Sequence, residues 1–350
     1  MGDAFVAVAN DYSALYYNPA GLARRDDSEV NLSMDFGGSS TIADFSKDIN
    51  NSGTGKTDSE KVSAMSEVLN KYYGKNFGGR FGLFQGVMVH PRWGFGIIPM
   101  DASVTMTVHK QIGPAVNLLM YGDTSVTYGY GKNVDWVNNG RLSVGIATKF
   151  VNRVYTNLPL SILELAFDSQ IVKKSSLREG YTLDADLGLI YSPQIDPESL
   201  LYFMNDYKPT IGLVVRNVAE SGFTNSLKLV NKEKTEAPEK LYRVLDVGFK
   251  WDLPSLGIFG GRVAFDMRDI GHPAFNTRKG SHFGMEFDWT VTSWWRGQYR
   301  FGLNQSYPTV GVSALFSIFN LDLVYYGEDV GTYNTPLENK VLMAKFNMNF

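Results

Sequence analysis

Residues 339–350 read NKVLMAKFNMNF. From Leu342 onward every second residue is apolar (Leu342, Ala344, Phe346, Met348, Phe350), and the residues between, Met343, Lys345, Asn347 and Asn349, are mostly polar. A period of two sends these sets to opposite faces of a strand. An alternating strand that ends on an aromatic suits the closing strand of a transmembrane β-barrel, one face towards lipid and the other towards the lumen. Taken alone, the same stretch would serve equally as a half-buried strand of a soluble sandwich. The rest of the sequence decides between the two.

Thirteen further strand-like segments lie upstream. In the first, Val30, Leu32, Met34 and Phe36 alternate with Asn31, Ser33 and Asp35. The others fall at 80–90, 93–110, 117–130, 141–155, 183–189, 211–215, 245–251, 263–267, 283–289, 295–301, 310–316 and 321–325. The connections check this count. In a barrel of this kind they are long on the outer side and short on the periplasmic side. Those at 37–79, 156–180, 219–239 and 271–280 are long, and those at 90–92, 254–255 and 319–320 are tight. One connection, 192–208, is long on the wrong side. The expectation is an all-β chain: a 14-stranded antiparallel transmembrane β-barrel over residues 28–350, with a hatch in residues 1–27 plugging the lumen and short helices in the extracellular loops.

Composition agrees with a membrane barrel. The 350 residues are 13% aromatic and include 35 glycines, with a net charge of −3. A basic footprint for nucleic acid is absent. Without cysteine, disulfides, zinc-thiolate sites and thiol nucleophiles are excluded. No apolar run approaches the ~18 residues of a membrane helix. Met1-Gly2-Asp3 lacks the basic and apolar regions of a leader, so a signal peptide is expected to have been removed before residue 1.

Residues 3–23, DAFVAVANDYSALYYNPAGLA, do not alternate. Ala4, Val8, Leu15 and Ala20 suit a short helix broken before Pro19, and Asn18-Pro19-Ala20-Gly21 reads as a tight turn. Gly2-Asp3-Ala4-Phe5, Ala9-Asn10-Asp11, Ala14-Leu15-Tyr16-Tyr17 and above all Asn18-Pro19-Ala20-Gly21-Leu22 resemble the N-terminal hatch of the FadL-type long-chain fatty acid transporters and their wider outer-membrane superfamily. Residues 262–270 (RVAFDMRDI) and 282–286 (HFGME) resemble late strands of the same superfamily. The resemblance implies a bacterial outer-membrane location and transport of hydrophobic, fatty-acid-like molecules with release sideways into the bilayer. It marks Asp3, Phe5, Asn18, Pro19, Ala20 and Gly21 as hatch residues. The superfamily also includes PorV-type barrels, secretion or assembly accessories that bind partner proteins, so a partner at the rim is the alternative to a lipid-like ligand in the lumen.

Three further features bear on function. Pro99 stands inside the third strand, before Met100 and Asp101, and proline is found in sheets only at edges or bulges. A closed barrel has no edge, so a bulge is expected. The resemblance puts a lateral opening in that strand. Secondly, Thr57-Asp58-Ser59-Glu60 forms a capping box ahead of a stripe at Val62, Met65, Val68, Leu69 and Tyr72. Residues 158–167 are strongly apolar, with Pro159 suited to a first helical turn. Val62, Met65, Leu69, Leu160, Leu163 and Phe167 either cap the barrel mouth or form an outer-loop apolar groove that collects ligand. Thirdly, Arg262, Asp266, Glu286, Asp288, Arg296 and Arg300 share the polar parity of their strands. They are expected to form a lumen charge network that holds the hatch, with a barrel-lipase active site as the lesser alternative. The four histidines have no metal-ligand spacing, and no GxSxG, Walker or HExxH motif occurs. No enzyme activity, metal or cofactor is expected.

Overall fold

The alternating segments become fourteen strands of one closed antiparallel barrel in the computed structural model, which describes residues 1–53, 56–109, 115–137, 139–167, 172–232, 236–331 and 336–350. The strands are β1 Glu29–Gly38, β2 Asn76–His90, β3 Trp93–His109, β4 Ala115–Val134, β5 Gly140–Ser161, β6 Arg178–Pro193 and β7 Thr210–Arg216, followed by β8 Val244–Leu256, β9 Phe259–Ile270, β10 Ser281–Thr292, β11 Trp295–Asn304, β12 Tyr307–Phe316, β13 Phe319–Asp329 and β14 Glu338–Asn349. Lys110, where the sequence reading ended the third strand, lies outside the described residues. Each strand pairs with its neighbours in sequence, and β14 closes on β1 with Asn31 opposite Asn349 and Gly38 opposite Leu342. Closure matters because an open edge in hydrocarbon would leave backbone N–H and C=O groups without partners.

Parity along β14 follows the sequence. Leu342 and Phe346 are 62% and 52% exposed, whereas Val341 and Asn347, between them in parity, are buried. The same holds round the wall: Leu32, Ile97, Tyr128, Ile146, Leu183 and Tyr299 all point outward and are exposed. An apolar exterior on a closed barrel is the surface a bilayer covers.

Short turns such as Gly257–Ile258 and Ser317–Ile318 gather at one rim and the long connections at the other. The exceptions are β6 to β7, which carries a 3-10 helix, Tyr202–Tyr207, at the short-turn rim, and β11 to β12, joined at the other rim by Gln305 and Ser306 alone. The helices are α1 Ala14–Tyr17, α2 Ser40–Gly53, α3 Asp58–Lys71, α4 Ile162–Phe167 and α5 Thr277–Gly280. Thr57 and Glu60 cap α3 reciprocally, with the Thr57 N–H donating to Glu60 Oε2 at 2.8 Å.

Two expectations need correction here. Residues 158–161 belong to β5, and the helix starts only at Ile162. Leu158 and Leu160 have the outward parity of β5 and join a core with Val116 and Leu118 of β4, Phe77 of β2 and Phe45 and Leu69 of the loop helices, so burial overrides the helical pattern. Pro159 sits opposite Asn117, beyond the last β5–β6 pair at Tyr155, where β5 has a strand on one side only and proline is tolerated. In addition, the early helix is confined to α1. Residues 6–8 form a single turn, with the Val8 and Ala9 N–H groups donating to Phe5 O and the Phe5 and Val6 N–H groups donating to a wall carboxylate.

Candidate functional site

The bore is occupied by the first two dozen residues. Ala4, Val6, Ala14, Asn18, Ala20 and Leu22 are all buried. Asp266 on β9 accepts from Phe5 N at 2.6 Å and Val6 N at 2.8 Å. Asp3 accepts from Tyr17 Oη and from Arg268. Phe5 packs against Tyr17, ring centres 5.2 Å apart. Arg216 on β7 donates to the Tyr16 and Tyr17 carbonyls, and Lys345 on β14 donates to Tyr12 Oη at 3.2 Å. Each residue of the Asn18–Gly21 motif has a distinct task. The Asn18 amide donates to Val6 O at 2.9 Å and to Leu189 O at 3.2 Å, while its oxygen caps Ala20 N. Pro19 opens the 3-10 helix Pro19–Arg24 at a position whose N–H would have no partner. Gly21 meets the Ala9 carbonyl where a Cβ would collide with it.

The wall is shaped to receive this segment by inward glycines that the sequence reading passed over. A Cβ on Gly212 of β7 would stand 2.6 Å from Val6 O, one on Gly131 of β4 2.8 Å from Ala23 N, and one on Gly129 2.7 Å from a Leu15 methyl. Gly145, Gly188 and Gly284 meet Pro19, Asn18 and Met1 still more closely. A glycine on the lumen parity of a strand is the sequence signal for such backbone-close contact.

Of the predicted lumen charges, part forms a continuous ladder. Arg262 and Arg300 pair with the fully buried Glu286 at 2.5 and 2.8 Å, and Arg300 reaches Asp322 on β13 at 3.2 Å. Asn347 on β14 donates to Asp322 at 2.7 Å, so the ladder runs from β9 to β14. Asp322 was missed, although it has the same parity. Asp266 serves the N-terminal segment instead. Asp288, opposite Gln298 in register, adjoins the ladder close enough to Glu286 and Arg262 to interact with both, whereas Arg296 near the short-turn rim is exposed.

Above the N-terminal segment the wall is interrupted. Ile98 pairs with Ser125 and Asp101 with Asp123, so Pro99 and Met100 on β3 oppose the single Thr124 on β4. Thr124 Oγ1 donates to the Pro99 carbonyl at 2.7 Å. β2 carries its own bulge beside it: Ser33 pairs with Gln85 but Asp35 with Gly82, leaving Leu83 and Phe84 opposite Met34. Across these bulges the facing parity of β2 and β3 inverts. Gly94 and Gly96 touch the N-terminal segment, whereas Asp101 pairs inward with Arg80 at 2.8 Å. Pro99 and Met100 themselves are exposed on the outer surface.

The loop helices do not line an open groove. Leu69 and Leu160 lie in a closed core with Phe45, Tyr72 and Phe77, and Met65 is buried alongside; Val62 is half-buried. Their strand partners have outward parity, so α2 and α3 lean on the outside of the wall rather than over the mouth. Burial of each such Leu or Phe is worth about 1.5–3 kcal/mol. Of the six apolar residues expected to line a groove, Leu163 and Phe167 of α4 are exposed. The Asp48 carboxyl on α2 is held below the usual carboxylate range by hydrogen bonds from Lys71 and then Tyr72 of the α3 end.

No protein-family profile and no curated protein matches the chain. Solved structures do. The chain is similar to the CymD monoaromatic hydrocarbon channel, at 10% identity over 98% of this chain and 94% of that one, TM-score 0.46. It is similar to the Ralstonia pickettii toluene transporter TbuX, at 12% identity over 98% and 94%, TM-score 0.41. A Pseudomonas aeruginosa FadL homologue matches at 10% identity over 99% and 95%, TM-score 0.30. At these identities and scores nothing about cargo passes from those proteins to this one, and function rests on the residues above.

Proposed function

We propose that this chain is an outer-membrane barrel that passes hydrophobic small molecules, fatty-acid-like in character, and releases them sideways into the bilayer. Residues 1–27 act as the hatch and 28–350 as the conducting wall. The observation that carries this reading is the coincidence of a filled bore with a paired interruption of β2 and β3 above the filling. An apolar molecule entering from the long-loop side meets a floor of buried ion pairs and backbone-close packing. Stripping each polar group of water on that route costs roughly 1–3 kcal/mol. The wall at Pro99 offers a shorter way to hydrocarbon, since the β3–β4 ladder is already broken there. In this reading the charges of β9 to β14 brace the wall and perform no catalysis.

The test is Pro99→Val, with Pro99→Ala as a milder partner, assayed for uptake of a long-chain fatty acid and of an alkane. Closing the bulge should reduce uptake of both while the barrel still assembles. Undiminished uptake by an assembled Pro99→Val barrel whose bulge has closed rules out sideways release.

A further inference from the structure

The outer face of the wall carries two adjoining hollows that take no part in transport through the bore. Val30, Leu32, Met34 and Phe36 form the lipid face of β1, and Gly38 comes next on that face, at the outer end of the apolar band. Register sets Gly38 between Leu342 of β14 and Gly79 of β2, with Val104 of β3 beside Gly79. Two neighbouring strands thus lack side chains between two bulky ones, and the wall is dented there. Phe36 and Phe81, paired one step lower on the same face, close the dent below, and Ile42 in the first turn of α2 borders it above. Its volume is about 630 Å³, within the roughly 300–1,000 Å³ of small-molecule pockets. A Cβ on Gly38 would meet no atom nearer than 3.8 Å, so the space is open. The second hollow, about 260 Å³, is polar and borders the same helical turn, with Thr41 lining it where Ile42 lines the first. Asp44, Lys47 and Asp48 of α2 surround it, with Lys71 and Lys75. Lys71 is committed to Asp48 at 2.6 Å. That leaves Lys47 and Lys75 to meet an anion, with Asp44 the carboxylate beside them. Lys75 stands four residues before Gly79, about 13 Å farther out along the strand direction.

We propose that this face is a binding site for one bilayer lipid with an anionic phosphate headgroup, an acyl chain filling the dent over Gly38 and Gly79 and the phosphate meeting Lys47 and Lys75. The order of the two hollows is that of a lipid standing with its head outward: apolar space level with the membrane-facing wall, cationic space beyond it. The occupant is a lipid of the bilayer because the dent is continuous with the apolar face that the bilayer already covers, and cargo passing through the bore does not meet that face. Lysines near a membrane surface favour anionic over zwitterionic lipids. The bound lipid would span the seam where β14 closes on β1 and hold α2 to the wall. The site stands whether or not the barrel releases cargo sideways.

The test is native mass spectrometry of the full-length barrel in detergent, with phosphatidylglycerol or phosphatidylcholine of the same chains added, and heat-resistant migration as the check on assembly. One phosphatidylglycerol per barrel should be retained about tenfold more firmly than phosphatidylcholine. Gly38→Leu, which fills the dent, should lower that retention several-fold. The pair Lys47→Gln with Lys75→Gln, both exposed, should lower it about tenfold and leave phosphatidylcholine unchanged. Equal retention of the two lipids by the unmutated barrel, or full phosphatidylglycerol retention by the doubly substituted one, overturns the phosphate contact. Full retention by an assembled Gly38→Leu barrel overturns the dent as the chain site. Palmitate that displaces phosphatidylglycerol at equal concentration gives the site to a free carboxylate and overturns the bilayer lipid as its occupant.

Discussion

Single residues settle how the bore is filled. Gly145 faces the peptide between Pro19 and Ala20 with no room for a side chain. Gly145→Val should therefore unseat the N-terminal segment without removing a strand, and planar-bilayer recordings should show ion leak where the unmutated barrel shows little. A quiet Gly145→Val barrel would mean that the segment tolerates displacement and is not a close-fitting plug. Glu286 is the second such residue, because it is fully buried and shared by Arg262 and Arg300. Glu286→Gln keeps the shape and leaves two guanidinium groups without their common counter-charge. Removing one partner of a buried charge group costs about 3–5 kcal/mol, and the loss should appear as a lower urea midpoint for the assembled barrel. Asp322 would not replace it, since it contacts Arg300 alone of the two arginines.

At the scale of elements, the helices leaning on the outer wall respond to acid in a defined direction. The Asp48 carboxyl lies below its ordinary value through Lys71 and Tyr72, so its contribution is present above the unfolded carboxylate pKa of about 4 and is lost as pH falls through the lower folded value. Protection of α2 and α3 amides, expressed relative to the intrinsic exchange rate at each pH, should be unchanged from neutral pH down to about 5 and should fall only below about 4. Protection that falls already near pH 6 would point to another group. The closing strand offers a second test. The Phe350 and Val30 backbones exchange two hydrogen bonds of 3.0 Å, and the Phe350 ring is 60% exposed on the lipid side. Phe350→Asp should lower the yield of heat-resistant barrel, because a carboxylate would replace an aromatic at the membrane face; full yield would remove the closing residue from the account. Elements were the most legible part of the sequence. Period two runs along the strands, interrupted in β2 and β3 at their bulges, because a bilayer outside and a polar lumen inside select opposite residues at successive positions. The ends of β5 were not legible, since Leu158 and Leu160 gain their burial from helices distant in sequence. Nor was the inversion of parity in β2, which Leu83 and Phe84 do not advertise.

The whole molecule joins a bore that its N-terminal residues occupy to an interrupted wall. The N-terminal motif was legible by its residues, and its fit became visible only when Gly131, Gly188, Gly212 and Gly284 were brought to one surface by the register of separate strands. A glycine on the lumen parity of one strand signals a close approach but not which segment approaches. The lumen ladder was half legible for the same reason: Glu286 and Arg300 face each other in register, whereas Asp322 reaches them through a third strand. The central claim is that apolar molecules cross this barrel while water-borne ions do not. It is tested most directly on one reconstituted preparation, by recording ion conductance and hexadecane transfer into the bilayer side by side. The account predicts hexadecane transfer well above protein-free membranes with conductance at the closed level. A steady open-pore conductance without hexadecane transfer would contradict it.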